Sequence, residues 1–220
     1  MKNYSRYTIE FLGCAIIAFL SICEHRSVAD ASLPFYNTPD FTPVWLKKGD
    51  EAFNHVHTIA PFSFTNQLGQ TISNKNITGK IYVANFFFTT CQSICPGMMN
   101  NLAKVQQTFG NDPRVMILSH SVTPLRDNVA TLAKYAGEHQ INSKNWWLLT
   151  GSKDEIYKLA RQSYFAENDN GFNKSTGDFL HTENLILVDM HGRIRGVYNG
   201  SLPLEVNTLI AHIHLLEREN

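Results

Sequence analysis

A chain of 220 residues is long enough for one domain with a substantial core plus a short extra segment. Its 43% apolar and 17% charged residues are those of an ordinary globular protein. Lys+Arg and Asp+Glu balance at 19 each and no long basic run occurs, which argues against a nucleic-acid partner.

The first 23 residues differ in kind from the rest. Lys2 and Arg6 precede an apolar run from Phe11 to Cys23. As a helix, such a run spans only about 20 Å, short of the ~30 Å hydrocarbon core of a bilayer. Residues 1–23 therefore read as an export signal or a membrane or lipid anchor rather than a full membrane span, with a cytoplasmic amphipathic start as the alternative. "LSIC", ending at Cys23, resembles a lipoprotein box with a bulky Ile22, and "ADA" at 29–31 offers a cleavage site after Ala31. Export places the domain on the periplasmic face of the cell membrane, tethered, or soluble in the periplasm if cleaved. Residues 24–43, with Pro34, Pro39 and Pro43, read as a linker, and residues 44–220 as the folded domain.

Within the domain, "NQLGQ" (66–70) has turn chemistry between two short alternating runs and predicts a hairpin near the domain's start. "KIYVANFFF" (80–88) predicts a buried strand, "PGMMNNLAKVQQTF" (96–109) a helix and "RVMILSHSV" (114–122) a second strand. A helix follows over 127–140, with Asp127 as N-cap, then "NWWLLT" (145–150) as a strand. Ser152 and Glu155 stand in capping-box spacing at the head of a helix over 152–165. The polar loop "AENDNGFNKSTGD" precedes "ENLILVD" and "RIRGVYN", two strands flanking "MHG", and a last helix begins at Pro203. The order predicts an α/β fold with a mixed central sheet flanked by helices, a thioredoxin-like arrangement.

Four cysteines occur, but Cys14 and Cys23 belong to the targeting segment, leaving Cys91 and Cys95 in "TTCQSICP". A bridge over so small a loop constrains the unfolded chain little, so a purely structural disulfide explains the pair poorly. The preceding strand delivers them to the carboxyl end of the sheet, where ligands gather in open α/β folds. Spacing i, i+4 places both on one face if the helix includes them, and a helix N-terminus favours both thiolates. Two such sulfurs suit a soft metal that takes one further ligand, and a structural zinc site is short of partners. Among nine histidines, His55 and His57 could share a strand face. His181 stands out by ending the polar loop just before a strand.

"TTCQSICP" followed by "DFLHTENLILVDMHGRI" resembles the SCO/SenC family of copper-binding, thioredoxin-like proteins, over about Val56 to Leu216. The CxxxCP motif and a histidine eight residues before an Asp, here His181 and Asp189, carry the likeness. "SHSVTPLRDN" is similar to the family's "SVDPERD" segment, with Arg126 and Asp127 retained and Thr123 in place of the acidic residue. The resemblance implies a copper chaperone or thiol reductase that helps assemble the copper centre of a respiratory cytochrome oxidase. Copper, as Cu(I) or Cu(II), would be held by Cys91, Cys95 and His181. The implied partners are the copper-accepting oxidase subunit, a thioredoxin-like reductant and, through the N-terminal segment, the membrane.

Three rivals share the fold or the motif. Ordinary thiol–disulfide oxidoreductases usually carry CxxC and a cis-proline before the hairpin strand; this chain has CxxxC and no proline between Gly177 and Asp189. Cys91 and Cys95 would still be the redox-active pair of a reductase acting on a partner's cysteines. A peroxidase needs an activating base or arginine that "FFFTTCQSIC" does not supply. The third is a structural domain with a disulfide. Met98 and Met99 read as packing residues, and so do Phe86 to Phe88 with Trp146 and Trp147.

Overall fold

The computed structural model describes residues 32–47, 49–166 and 182–219, and those from Leu33 onward form one unit. Its first half runs β1 (Phe35–Tyr36), β2 (Pro43–Val44), a 3-10 turn (Glu51–His55), β3 (Ser63–Asn66), β4 (Thr71–Ser73), α1 (Asn74–Ile77), β5 (Ile81–Phe87) and α2 (Cys95–Phe109). The second half runs β6 (Val115–Ser121), α3 (Val129–Glu138), β7 (Trp146–Thr150), α4 (Lys153–Gln162), β8 (Asn184–Val188), β9 (Ile194–Asn199) and α5 (Pro203–Arg218).

β5 and β6 are buried at every position, which is what a near-continuous apolar run produces when helices cover both faces of a parallel pair. Their register runs from Ile81 opposite Val115 to Phe87 opposite Ser121. β7 adds in parallel, whereas β3 and β8 pair antiparallel at either side. The result is a seven-stranded mixed sheet in the order β4-β3-β7-β6-β5-β8-β9, with β1 and β2 forming a separate two-stranded sheet. This is the α/β, thioredoxin-like layering that the strand and helix order predicts. Among the described residues no helix is long and apolar enough to cross a membrane.

Two cores lie on opposite faces of the sheet. One packs Met98, Leu102 and Val105 of α2, Leu132 of α3, and Leu209 and Ile213 of α5 against Val83 and Ile117. The other packs Ile156, Leu159 and Ala160 of α4 with Phe62, Phe64, Phe86 and Tyr164. A row of buried polar groups crosses the three parallel strands on the first of these faces. Trp146 Nε1 donates to Ser119 Oγ at 2.9 Å, Ser119 Oγ to Asn85 Oδ1 at 2.6 Å, and Asn85 Nδ2 to the Met98 sulfur at 4.0 Å. A slipped register would leave these groups unpaired in the core, so the row helps to specify the alignment.

The "NQLGQ" hairpin forms where expected. The Asn66 side chain accepts from the Leu68 and Gln70 amides, and Gly69 takes the left-handed φ of +75° that closes the turn. Elsewhere the structure departs from sequence expectation. Leu33 and Phe35, in the stretch read as linker, are buried, because Phe35 pairs with Val44 and lies under the Arg195 guanidinium at 4.2 Å. Asn128, not Asp127, caps α3, accepting from the Thr131 amide at 3.0 Å. Ser152 makes no side-chain cap on α4. His55 and His57 share no strand face: the first lies in the 3-10 turn, and the ring of the second pairs with the Ser163 carbonyl oxygen.

His120 on β6 is fully buried among Phe62, Phe64, Phe86 and Tyr164, all with ring centroids within 5.9 Å, and neither ring nitrogen has a hydrogen-bond partner. Burial pushes its pKa down to about 3. The unfolded chain takes this proton near pH ~6.5 whereas the folded chain refuses it, so stability declines as pH falls from there toward 3. Replacing His120 by Phe removes both the unpaired polar group and this linkage. Chemical denaturation should show the variant about 1 kcal/mol or more stabler at pH 7, with the advantage growing at pH 4. A variant less stable at both values would contradict this account.

Candidate metal centre

The thiol site begins where β5 runs out. Thr89 and Thr90 turn the chain, and the Cys91 amide donates back to the Phe88 carbonyl oxygen at 3.3 Å. α2 starts only at Cys95, with Pro96 in its first turn, where a missing N–H costs no helix bond. Cys91 therefore lies in the loop ahead of the helix, and the two cysteines do not share a helical face.

No side chain caps α2; the residue at its N-cap is Ile94. The sulfur of Cys91 meets the helix entrance instead. Its partial burial disfavours the thiolate, but hydrogen bonds from the Cys95 thiol and from the Cys95, Ser93 and Ile94 amides outweigh that penalty. Its pKa falls below the ordinary cysteine value. Cys95 behaves oppositely. It is 1% exposed, and burial, followed by its hydrogen bond to Cys91, pushes its pKa up to about 12. The sequence expectation that both sulfurs ionise readily thus holds for Cys91 alone. Cys95 joins Met98, Met99 and Leu102 on the core face of α2, and desolvation there exceeds what the helix terminus contributes. The geometry yields a partly exposed nucleophile bonded to a buried proton donor, with no disulfide between them.

A second anchor holds the loop. Asp127, 1% exposed, accepts hydrogen bonds from the Thr89 amide and hydroxyl and from the Ser121 and Thr123 hydroxyls. Thr123, at the position where the resemblance leads one to expect an acid, is a donor to this carboxylate. Tyr135 borders the same space: burial and then the negative charges of Cys95, Cys91 and Asp127 hold its phenolic proton more tightly than usual. Neither role was visible in the sequence, where Asp127 stood out only as the expected cap of α3 and as a retained residue of the "SHSVTPLRDN" segment.

His181 lies outside the described residues. Asn184, three positions later, opens β8, whose amino end lies beside the carboxyl end of β5 because the two strands are antiparallel. Among the described residues, no group of three His, Cys, Asp or Glu side chains is placed to hold a metal. Met98 and Met99 are buried in the core as expected. Asp189 belongs to the other end of the sheet, where it accepts from the His191 and Arg193 amides and pairs with Arg193 at 2.8 Å. His139, His212 and His214 are engaged with Tyr135, Tyr198 and Glu217.

A mixed sheet that delivers a CxxxC pair to the carboxyl end of a central strand defines a thioredoxin-like thiol or soft-metal protein. The SCO1/SenC family model matches residues 50–216, and the chain belongs to that family. It is 32% identical over 148 residues to the SCO1 protein homolog of Bacillus subtilis, a match covering 66% of this chain and 75% of that one. It spans only half the length of the mitochondrial SCO2 homolog of Danio rerio that it also matches. Among solved structures, BsSco, described as a member of the Sco family of cytochrome c oxidase assembly proteins with a disulfide switch, superposes with a TM-score of 0.63. The identity is 28%, and the match covers 75% of this chain and 96% of that one. ScoI of Bradyrhizobium japonicum with copper bound gives 0.58 at 26% identity, covering 72% of this chain and 99% of that one.

The difference between the sulfurs is measurable. With iodoacetamide at pH 7, Cys91 should be alkylated at least about tenfold faster than Cys95, since the thiolate is the reactive form. Cys95→Ala should move the pH midpoint of Cys91 alkylation upward by removing a donor to the thiolate. Mass-spectrometric mapping that found equal rates would contradict the asymmetry.

Proposed function

We propose that this protein is an extracytoplasmic copper-binding metallochaperone that assists assembly of the copper centre of a respiratory cytochrome oxidase. Cys91, Cys95 and His181 hold the ion, which is cargo rather than a resident cofactor. The observation that carries the reading is the paired, unequal sulfurs in a SCO1/SenC chain. Soft sulfur donors suit Cu(I), and an imidazole suits copper in either oxidation state. Support comes from the copper bound to B. japonicum ScoI and from the oxidase-assembly family of BsSco.

The partly exposed Cys91 sulfur is the first point of attachment for an arriving ion, and Cys95 joins by giving up its proton. Three ligands leave copper open to an acceptor's own donors, so the acceptor is the copper-binding subunit of the oxidase. Residues 1–23 direct the domain across the membrane and anchor it there, or are removed by cleavage after Ala31. The apolar run in the sequence supports that placement.

The same asymmetry favours a second reading, thiol–disulfide reduction of a partner. The Cys91 thiolate attacks one sulfur of the partner's disulfide and expels the other as a thiolate, which takes up a proton. Cys95, once deprotonated, attacks the Cys91 sulfur and releases the partner's second thiol. The Cys91–Cys95 disulfide left behind needs two electrons and two protons from a thioredoxin-like dithiol to be reset.

Copper titration of the reduced full-length protein, beside Cys91→Ser, Cys95→Ser and His181→Ala, separates the readings. One tightly held copper per chain is expected, lost with either cysteine. His181→Ala should weaken Cu(II) by at least about tenfold and Cu(I) less, because two thiolates still hold the softer ion. Since binding displaces the Cys95 proton and whatever share Cys91 retains, affinity should fall as pH is lowered, and calorimetry in different buffers should register the proton release. Absence of tight copper together with rapid disulfide exchange would decide for the reductase.

A further inference from the structure

Asp127 is a fully buried carboxylate that forms no ion pair among the described residues. Four neutral donors satisfy it. The Thr89 hydroxyl donates to Oδ1 at 2.6 Å; the Thr89 amide at 3.2 Å, the Ser121 hydroxyl at 2.6 Å and the Thr123 hydroxyl at 3.0 Å donate to Oδ2. Burying a carboxylate without a counter-ion is costly, and full hydrogen bonding is what makes it tolerable. The neighbouring helix does not need it, because Asn128 supplies the cap of α3. Two of the four bonds reach instead into the loop that carries the thiols, at a residue two positions before Cys91.

Cys91 follows a turn in which its amide donates to the Phe88 carbonyl oxygen at 3.3 Å, and its sulfur must stay level with the Cys95 thiol and three amides to keep its contacts. Thr89 is the first residue of that turn, and Asp127 holds its side chain. The carboxylate is in turn held by Ser121, the last residue of β6, and by Thr123 just beyond it. Ser121 also accepts from the Thr123 amide at 3.2 Å.

We propose that Asp127 is the positioning residue of the thiol pair: through Thr89 it fixes where Cys91 stands relative to Cys95. Cys91 reactivity and the dithiol–disulfide equilibrium of the pair then depend on a carboxylate that touches neither sulfur. The inference rests on the pair being the working site, as in the proposed function. Its readouts need no copper, so a chain that binds none still tests it.

The experiment compares Asp127→Asn, Thr89→Val, Thr89→Ser and Asn128→Ala with the parent full-length chain, below the lowest melting temperature of the set. The first readout is equilibration with dithiothreitol, in which the protein disulfide takes two electrons and two protons to become two thiols while dithiothreitol closes to its cyclic disulfide. The second is the alkylation rate of Cys91 at pH 7. Asp127→Asn and Thr89→Val should each shift the equilibrium constant by at least about tenfold, about 30 mV in potential. Each should also change the alkylation rate at least about fivefold, since the thiolate fraction follows its donors. Thr89→Ser, which keeps the hydroxyl, should restore both to within about twofold of the parent. Asn128→Ala removes the adjacent helix cap and should lower the melting temperature while leaving both readouts within about twofold. The proposal is overturned if Asp127→Asn and Thr89→Val lower only the melting temperature, or if Asn128→Ala moves the readouts as far as they do. Should Asp127→Asn not fold, the contrast between Thr89→Val and Thr89→Ser makes the same distinction.

Discussion

The parallel ladder that sets Phe87 opposite Ser121 is the constraint on which the thiol end of this molecule depends. It brings the end of β5 level with the end of β6, so the loop leaving one strand meets the loop leaving the other. Thr89 is two residues past the first and Asp127 six past the second. A slip of one residue would turn the Ser121 hydroxyl to the other face and take it from that carboxylate. The alignment is reinforced lower in the sheet by the row from Trp146 through Ser119 and Asn85 to Met98. Met98 belongs to the helix that opens with Cys95, so the row also locates the buried thiol.

Chemical difference between the two sulfurs follows from packing rather than from residue type. Cys95 lies on the apolar face of α2, one turn before Met98 and Met99, and shares their dry surroundings. Cys91 stays outside the helix and keeps contact with solvent and with the amides at its mouth. The first two turns of α2 are held close to the far edge of the sheet. Asn101 donates to the Gly200 carbonyl oxygen at 2.8 Å, and a side chain at Gly200 would come within 2.9 Å of Met98 and Leu185. This close fit keeps the helix entrance from drifting away from the loop that it faces.

Much of this could be read in the chain. Runs such as IYVANFF and VMILSHS announce strands covered on both faces, and Cys91 with Cys95 after the first of them announces the site. What could not be read depends on tertiary company. Leu33 and Phe35 stand among prolines and look like tether, but the Arg195 guanidinium, paired with Asp189 and Glu219, makes a lid beneath which Phe35 packs. Asp127 reads as the cap of α3 in sequence, and only the register of β6 against β5 turns it toward Thr89 and leaves the cap to Asn128. Proximity to a helix terminus suggested two ready thiolates, and burial of one of them reversed the sign.

The Arg195 cluster has a further consequence. Arg195 donates to the carbonyl oxygens of Leu33 and Pro34 and to the Glu219 carboxylate, which also accepts from the Leu33 amide at 3.2 Å. Both ends of the folded unit are thereby fastened to one another, near the hairpin turn that follows β8 and at the opposite pole from Cys91. The unit is a nearly closed circuit. An attachment made close to either Leu33 or Glu219 grips the same spot, at the pole opposite Cys91.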